Sequence, residues 1–307
     1  MALSKWRLKQ LWMYPFMRTR AGADLYEWLT AGVLGTQWGM SQKWCYWFRE
    51  HVVLCRRFGR ATLPGSRIWL FEPGWSLAPA IMSKIATGQG PLITEDRRRL
   101  AARYLPLAIQ EVGKVADRLC VSAKADPGGI DLLEQLRWAK SADQALALCG
   151  AQYRVGDLRS LAEIPSASLD MCISMGRLEH LSRPELVFLF EQMRRVLVPG
   201  GLGSHIVDHR DHYWHYDKSI HCFHHLTFSD GQWEKICKGR KSYRNRLLEP
   251  QYISMFEEAG FEVVTAAHDL HRRDAEQVDP KTLWGRYADL TKEDLQAAVS
   301  HFVVRNA

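Results

Sequence analysis

The chain has 307 residues, 47% hydrophobic and 24% charged, an ordinary balance for a soluble globular protein. Its seven cysteines are scattered with no CxxC pair, which excludes a disulfide framework and a zinc ribbon and points to a reducing, cytoplasmic setting. The net charge of +7 collects in short runs at 97–99, 238–241 and Arg244/Arg246 that read as solvated faces. No nucleic-acid motif accompanies them, and no apolar run reaches the roughly 18 residues of a membrane span.

Residues 3–14 lack the apolar stretch of a signal peptide. They suit an amphipathic helix presenting Leu3, Trp6 or Arg7, Gln10, Leu11 and Tyr14, which would pack on the core or a partner, or touch a membrane surface peripherally. Segments 24–34 and 42–57 carry apolar residues at helical spacing around a break at 35–39. After Ser66 the texture changes to short β-type runs at 67–71, 91–94, 152–155, 169–174, 202–207, 261–265 and 299–304. Helical stretches alternate with them at 76–87, 97–148 (broken at 126–129), 184–197, 249–259 and 292–298. This alternation predicts a mostly parallel sheet of seven strands with an antiparallel last strand. It divides the chain into a helical N-terminal cap, 1–60, and an α/β domain, 61–307.

In open α/β sheets ligands bind outside the carboxyl ends of the strands, and those ends are polar in this chain. The first strand runs into Glu72-Pro-Gly74-Trp-Ser76, where a glycine turn and a helix N-terminus allow close approach of a ligand. The second ends in Glu95 and Asp96, carboxylates suited to a ribose diol, and the third in Asp157-Leu158. The fourth ends in Met175-Gly-Arg177, and the fifth empties into Asp208-His-Arg210-Asp211-His212. Alternation along that last strand sets His205 and Val207 on one face and Ile206 and Asp208 on the other.

In this order the motifs resemble a class I S-adenosylmethionine-dependent methyltransferase, with a Rossmann-like fold, over roughly residues 66–307. Leu169-Asp-Met-Cys-Ile-Ser-Met-Gly-Arg-Leu-Glu-His-Leu181 resembles that family's fourth strand and turn. Met193-Arg-Arg-Val-Leu-Val-Pro-Gly-Gly201 resembles its entry to the fifth strand, and Phe256-Glu-Glu-Ala-Gly-Phe-Glu-Val-Val264 its entry to the sixth. The stretch 204–212, with Leu226-Thr-Phe-Ser229, Trp233 and Tyr243-Arg-Asn-Arg246, is similar to a bacterial subgroup associated with glycan or small-molecule biosynthesis. The resemblance implies S-adenosylmethionine as cofactor and a small metabolite or sugar as methyl acceptor, with no nucleic-acid partner; a homodimer is compatible with it. It places Gly74 and Ser76 at the methionine end, Glu95 or Asp96 at the ribose, Asp157 and Leu158 at the adenine, and Met175 to Arg177 at the open face.

Methyl transfer to oxygen or nitrogen needs a group that takes the acceptor's proton. His212 is the first candidate, oriented by Asp208 or Asp211, with His205 nearby. Arg210, Trp214, Asn245 and Arg246 are candidates for holding the acceptor. The histidines from 209 to 225 lack tight tetrahedral spacing, so no metal is expected. One position departs from the family pattern: Leu70 stands where it has an acid and Glu72 where it has a glycine. A carboxylate beside the expected cofactor carboxylate is unfavourable unless a cation such as Arg67 or Arg177 intervenes. An alternative reading is therefore a non-catalytic, methyltransferase-like binding or partner subunit.

Overall fold

A computed structural model describes residues 4–16, 19–33, 40–96, 100, 102–237, 244–270, 276 and 278–307. The break at 35–39, the basic runs at 97–99 and 238–241, and Tyr243 lie outside the described residues. Among the described residues seven strands form one sheet: β1 Ile68–Phe71, β2 Leu92–Glu95, β3 Gln152–Val155, β4 Leu169–Met175, β5 Leu197–Asp208, β6 Phe261–Leu270 and β7 Ala297–Asn306. Their order is β3-β2-β1-β4-β5-β7-β6, with β7 antiparallel to both neighbours and the first five strands parallel. This is the Rossmann-like arrangement that the alternating pattern predicted. The chain winds outward from β1 and resumes at β4, so the crevice above β1 and β4 is the topological switch point.

Alternate side chains of each strand face opposite layers. Ile68 and Leu70 join a core with α3 Met40–Arg57, α4 Ala78–Thr87, α5 Leu105–Gly113 and α6 Ala116–Ala123. Below them, α7 Leu132–Leu136 and α8 Ala142–Cys149 complete that layer. Trp69 and Phe71 join the other core with α9 Arg183–Val196 and α11 Glu249–Glu258. Trp44, Phe48, Val52 and Cys55 of α3 are all buried, so this helix of the cap segment packs directly into the sheet's core. The start of α9 is written locally: the Glu185 carboxylate takes both the N–H and the O–H of Ser182, and Pro184 occupies the first turn.

A third, smaller core lies over the strand ends and joins Cys222, Phe223 and Leu226 to Val278, Leu283 and Leu295. Against this side sit α10 Asp230–Cys237 and the N-terminal α1 Lys5–Met13, whose Trp6 contacts Tyr213, His224 and Phe228. The inward face of α1 carries Trp6 and Met13, while Leu11 and Tyr14 are exposed; the face read from the sequence is thus rotated. The predicted helix over 24–34 is α2 Arg20–Glu27 continued by a π-helical turn, Trp28–Val33. The helix expected over 292–298 is instead a series of turns, because β7 begins at Ala297 and extends the chain. All seven cysteines are buried thiols outside any disulfide, and no helix among the described residues is long and apolar enough to cross a membrane.

Histidines cross the middle of this sheet. His51 Nδ1 lies 2.7 Å from Ser204 Oγ and 2.8 Å from His301 Nε2, and His205 Nδ1 lies 2.8 Å from Ser174 Oγ. Burial pushes His205 and His301 down to about 3, and His51 well below the usual 6.5, so all three fold as neutral rings. The unfolded chain binds more protons than the native one below pH 6.5, so stability is complete above that pH and is lost as pH falls toward about 3. Urea unfolding at pH 7.5, 6.5 and 5.5 should therefore show a plateau and then a decline of about 1 kcal/mol per pH unit for each such histidine. A flat profile across this range would contradict the neutral network.

Candidate active site

β1 exits into a turn that needs left-handed backbone at two positions, Glu72 at φ 47 and Gly74 at φ 83. Glycine adopts this region freely, whereas a glutamate there carries strain of order 1 kcal/mol. The turn is held from two sides. From α3, Trp44 Nε1 donates to the Pro73 carbonyl at 2.9 Å, and Ser41 Oγ meets Ser76 Oγ at 2.9 Å. From β2, Glu95 Oε1 accepts the Gly74 N–H at 2.5 Å. A Cβ built on Gly74 would meet nothing within 4 Å, so the space above the turn is open.

Glu72 is buried and forms an ion pair with Arg177, which follows β4. The pair bridges the switch point. Arg67, the other cation considered for this role, is engaged instead with Asp170 at 3.1 Å. Glu72, Glu95 and Asp96 each bring a carboxylate oxygen within 4.8 Å of the others. Sequence-predicted Glu72, Gly74, Glu95, Asp96 and Arg177 are thus gathered in one place. Met175 is buried at the end of β4, where the following Gly176 N–H reaches the Ile206 carbonyl. Ser76 is buried and also accepts the Ala78 N–H, so it serves the turn and α4. Asp157 is exposed and caps its own turn through the Arg159 N–H, with Leu158 half-buried beside it. The Gly156 N–H ties this edge to the Glu95 carbonyl at 2.9 Å.

The second half of the site lies at the end of β5. Arg210 grips both oxygens of Asp208, at 2.8 and 3.0 Å, and His215 Nε2 stands 3.5 Å from Oδ2. Burial opposes ionisation of Asp208, but His215 and Arg210 hold its carboxyl well below the usual carboxylate range. His212 is half-buried, with its ring 5.1 Å from that of His180 and 5.7 Å from that of His215. Burial, then the Arg244 cation and His180, push it well below the usual imidazole range. Trp214 is half-buried beneath Lys218 Nζ, 3.0 Å from its ring centre, with Arg210 on the same ring at 5.6 Å.

Other predicted residues are placed differently. His205 lies inside the sheet's core, stacked on Phe256, because its strand position faces α11 rather than the crevice. Asp211 is fully buried, its carboxyl pushed up to about 6 by burial, and Oδ1 accepts the Tyr213 N–H rather than orienting His212. Asn245 Nδ2 donates to the Leu178 and Leu181 carbonyls and so clamps the turn after β4. Arg246 is buried between the rings of Trp233 and Tyr287 and donates to the Phe228 carbonyl at 2.7 Å. The Arg244/Arg246 pair is therefore interior and not a solvated face. Arg244 Nη1 reaches the Asp208 carbonyl at 2.6 Å and lies 3.5 Å from Glu179.

Sequence reasoning passed over His215 as a partner of Asp208, and over Glu179. A signal for His215 was available: His212 and His215 begin and end one 3-10 turn, whose three-residue period aligns them on one side. Glu179 gave no such signal, because its role follows from the approach of Arg244 across the fold. A cavity of about 1080 Å³ lies elsewhere, between α5 and the segment 130–140.

Residues 112–201 match a protein-family model described as a methyltransferase domain, in agreement with the resemblance read from the fourth and fifth strands. No curated protein sequence matches the chain. Among solved structures, an activator–methyltransferase complex from Haloferax volcanii is 14% identical, covering 87% of this chain and 97% of that one at a TM-score of 0.42. An S-adenosylmethionine-dependent methyltransferase from Mesorhizobium loti is 13% identical, with coverages of 81% and 94% and a TM-score of 0.42. Phosphoethanolamine N-methyltransferase 2 of Haemonchus contortus, solved with S-adenosyl-L-methionine, is 12% identical over 83% of this chain and 52% of that one, at 0.43.

Removing one partner of a buried ion pair leaves an uncompensated charge. Because Arg177 is partly exposed, Arg177→Ala should lower stability by about 1–3 kcal/mol, read as a fall in Tm. Adding Glu72→Gly removes both the orphaned carboxylate and the left-handed strain, so the double variant should recover most of the loss. A double variant no more stable than Arg177→Ala would show that the pair does not carry charge compensation at the turn.

Proposed function

We propose that this chain, whose sheet topology and matched segment 112–201 support a class I methyltransferase reading, transfers a methyl group from S-adenosylmethionine to an oxygen or nitrogen of a small metabolite or sugar-type acceptor. One observation carries the reading. The turn 176–180 joins a carboxylate-rich crevice, through Arg177, to the histidine group at the end of β5, through Glu179 and His180.

The crevice fits the cofactor. Three carboxylates against one guanidinium leave it negative, complementary to a sulfonium cation, and the space over Gly74 admits a ligand against the backbone. Glu95 and Asp96 offer acceptors to a ribose diol, and Asp157 with Leu158 borders the edge where the adenine would lie. Arg177 neutralises Glu72, which answers the charge argument for a non-catalytic subunit. When bound, S-adenosylmethionine supplies an electrophilic methyl group. This chain's residues then hold the acceptor and take its proton.

His215 suits the second task better than His212. It is the more exposed ring, and Asp208 stands behind it, so a proton gained on the imidazole meets a carboxylate that stays ionised. Arg210 fixes that carboxylate, and Trp214 supplies an aromatic wall beside it. The N-terminal helix closes this side through Trp6, whose backbone N–H donates to the Asp217 carboxylate.

Calorimetry with S-adenosylmethionine and S-adenosylhomocysteine tests the first half. Both should bind, and Glu95→Ala should weaken them by at least about tenfold, some 1.4 kcal/mol. Folded protein that binds neither would instead favour the partner-subunit reading. On an acceptor that is methylated, His215→Ala should lower turnover about 100-fold while leaving cofactor affinity within about twofold. Equal losses in both would deny His215 a role in proton transfer.

A further inference from the structure

Two groups of potential metal ligands meet at His212. One carboxylate oxygen of Glu179 and one ring nitrogen each of His180 and His212 lie within 4.8 Å of one another, as do the corresponding atoms of Asp208, His212 and His215. Among the described residues these are the groups that combine carboxylate with imidazole. They differ in how their carboxylates are used. Arg210 occupies both oxygens of Asp208, whereas Glu179, 3% exposed, has an oxygen, Oε2, with no hydrogen-bond partner. Its other oxygen, Oε1, accepts the Asp208 N–H at 3.3 Å and faces Arg244 at 3.5 Å. A buried carboxylate oxygen with nothing to accept is costly unless a proton or a cation meets it.

We propose that Glu179, His180 and His212 form a binding site for one divalent first-row transition-metal ion at the acceptor end of the crevice. Two imidazoles and one carboxylate make a borderline nitrogen–oxygen donor set, the kind that takes zinc, cobalt, iron or manganese rather than calcium. Donor atoms bound to one such ion at about 2.1 Å stand roughly 3.0–3.5 Å apart, so the present separations close with side-chain shifts of about 1 Å. Asp208 and His215 then form the layer behind His212, as the outer carboxylate of a metal-bound histidine does. Three protein ligands leave positions open for an acceptor oxygen, whose hydroxyl the ion would acidify before its proton passes to His215. That role rests on the methyl-transfer reading; the binding itself does not.

The site is local in space but not in sequence. Glu179 and His180 come from the turn after β4, and His212 from the turn after β5. Asn245 clamps the first turn through the Leu178 and Leu181 carbonyls, and Asp211 caps the second. Both are anchored without any metal.

The test uses the full chain stripped with chelator and titrated with Co2+ alone, in the absence of any methyl donor. Wild type should take up one Co2+ per chain with visible d–d absorption, and Zn2+ should displace it. His212→Ala and Glu179→Gln should each weaken binding at least about tenfold, with the absorption lost. His268→Ala, a remote ring bonded to Glu249, should bind as wild type does. Should His212→Ala fail to fold, Glu179→Gln, which preserves shape, carries the test. Absence of a stoichiometric bound ion in wild type overturns the proposal, as does binding unaffected by Glu179→Gln. Cofactor affinity measured separately by calorimetry tells failure here from failure of the methyl-transfer reading.

Discussion

The ion pair between Glu72 and Arg177 ties together the two strand ends on which everything at the site depends. β1 and β4 are adjacent and parallel, yet Ile173 follows its register partner Leu70 by 103 positions: the connection leaves through β2 and β3 and returns. Their exits must be held at a fixed separation for the crevice to keep its shape. A guanidinium on one exit and a buried carboxylate on the other do so in a region where each charge alone would be costly. Because Glu72 sits in left-handed backbone, the pair also holds the turn in a conformation that its own residue type disfavours.

The same constraint explains why α3 matters to chemistry although it precedes the sheet. Its Trp44 and Ser41 reach over β1 and bind the turn at Pro73 and Ser76, while Glu95 binds it from β2. A turn gripped by two elements presents its backbone to a ligand with little ordering left to do, which is how preorganised sites limit the cost of binding. Farther along the helix, His51 joins Ser204 and His301 inside the sheet. One helix thus couples the turn after β1 to the neutral-histidine interior.

On the other side of the crevice, Arg244 organises charges that would otherwise repel. It approaches Glu179 and the Asp208 carbonyl, and it also helps keep His212 neutral. A neutral His212 next to an ionised Asp208 suits both proton transfer and ligation, so the same arrangement is compatible with the proposed role of His215 and the proposed site at Glu179, His180 and His212. The loops that carry these groups are anchored by caps and by the small core around Phe223 and Leu226. They are not loose appendages.

Much of this architecture is legible in the order of residues. Short β-branched and aromatic runs separated by amphipathic helices determine a parallel sheet, since each crossover must bury one face of a helix against it. Polar residues at strand ends locate the crevice for the same reason. Glu72, Gly74, Glu95 and Arg177 are legible as crevice residues because each lies at or just beyond the carboxyl end of its strand. By itself, then, the sequence determined the sheet, its strand ends and the carboxylates at the crevice. Only the tertiary structure decided that Arg177 neutralises Glu72, that His205, Asn245 and Arg246 face inward, and that Glu179 and His180 stand beside His212. Periodicity reports which face of an element is apolar, a local property. Partnership between charges depends on how separate turns are brought together, and in this chain that is fixed by the packing of α3, α9 and α11 on the two faces of the sheet.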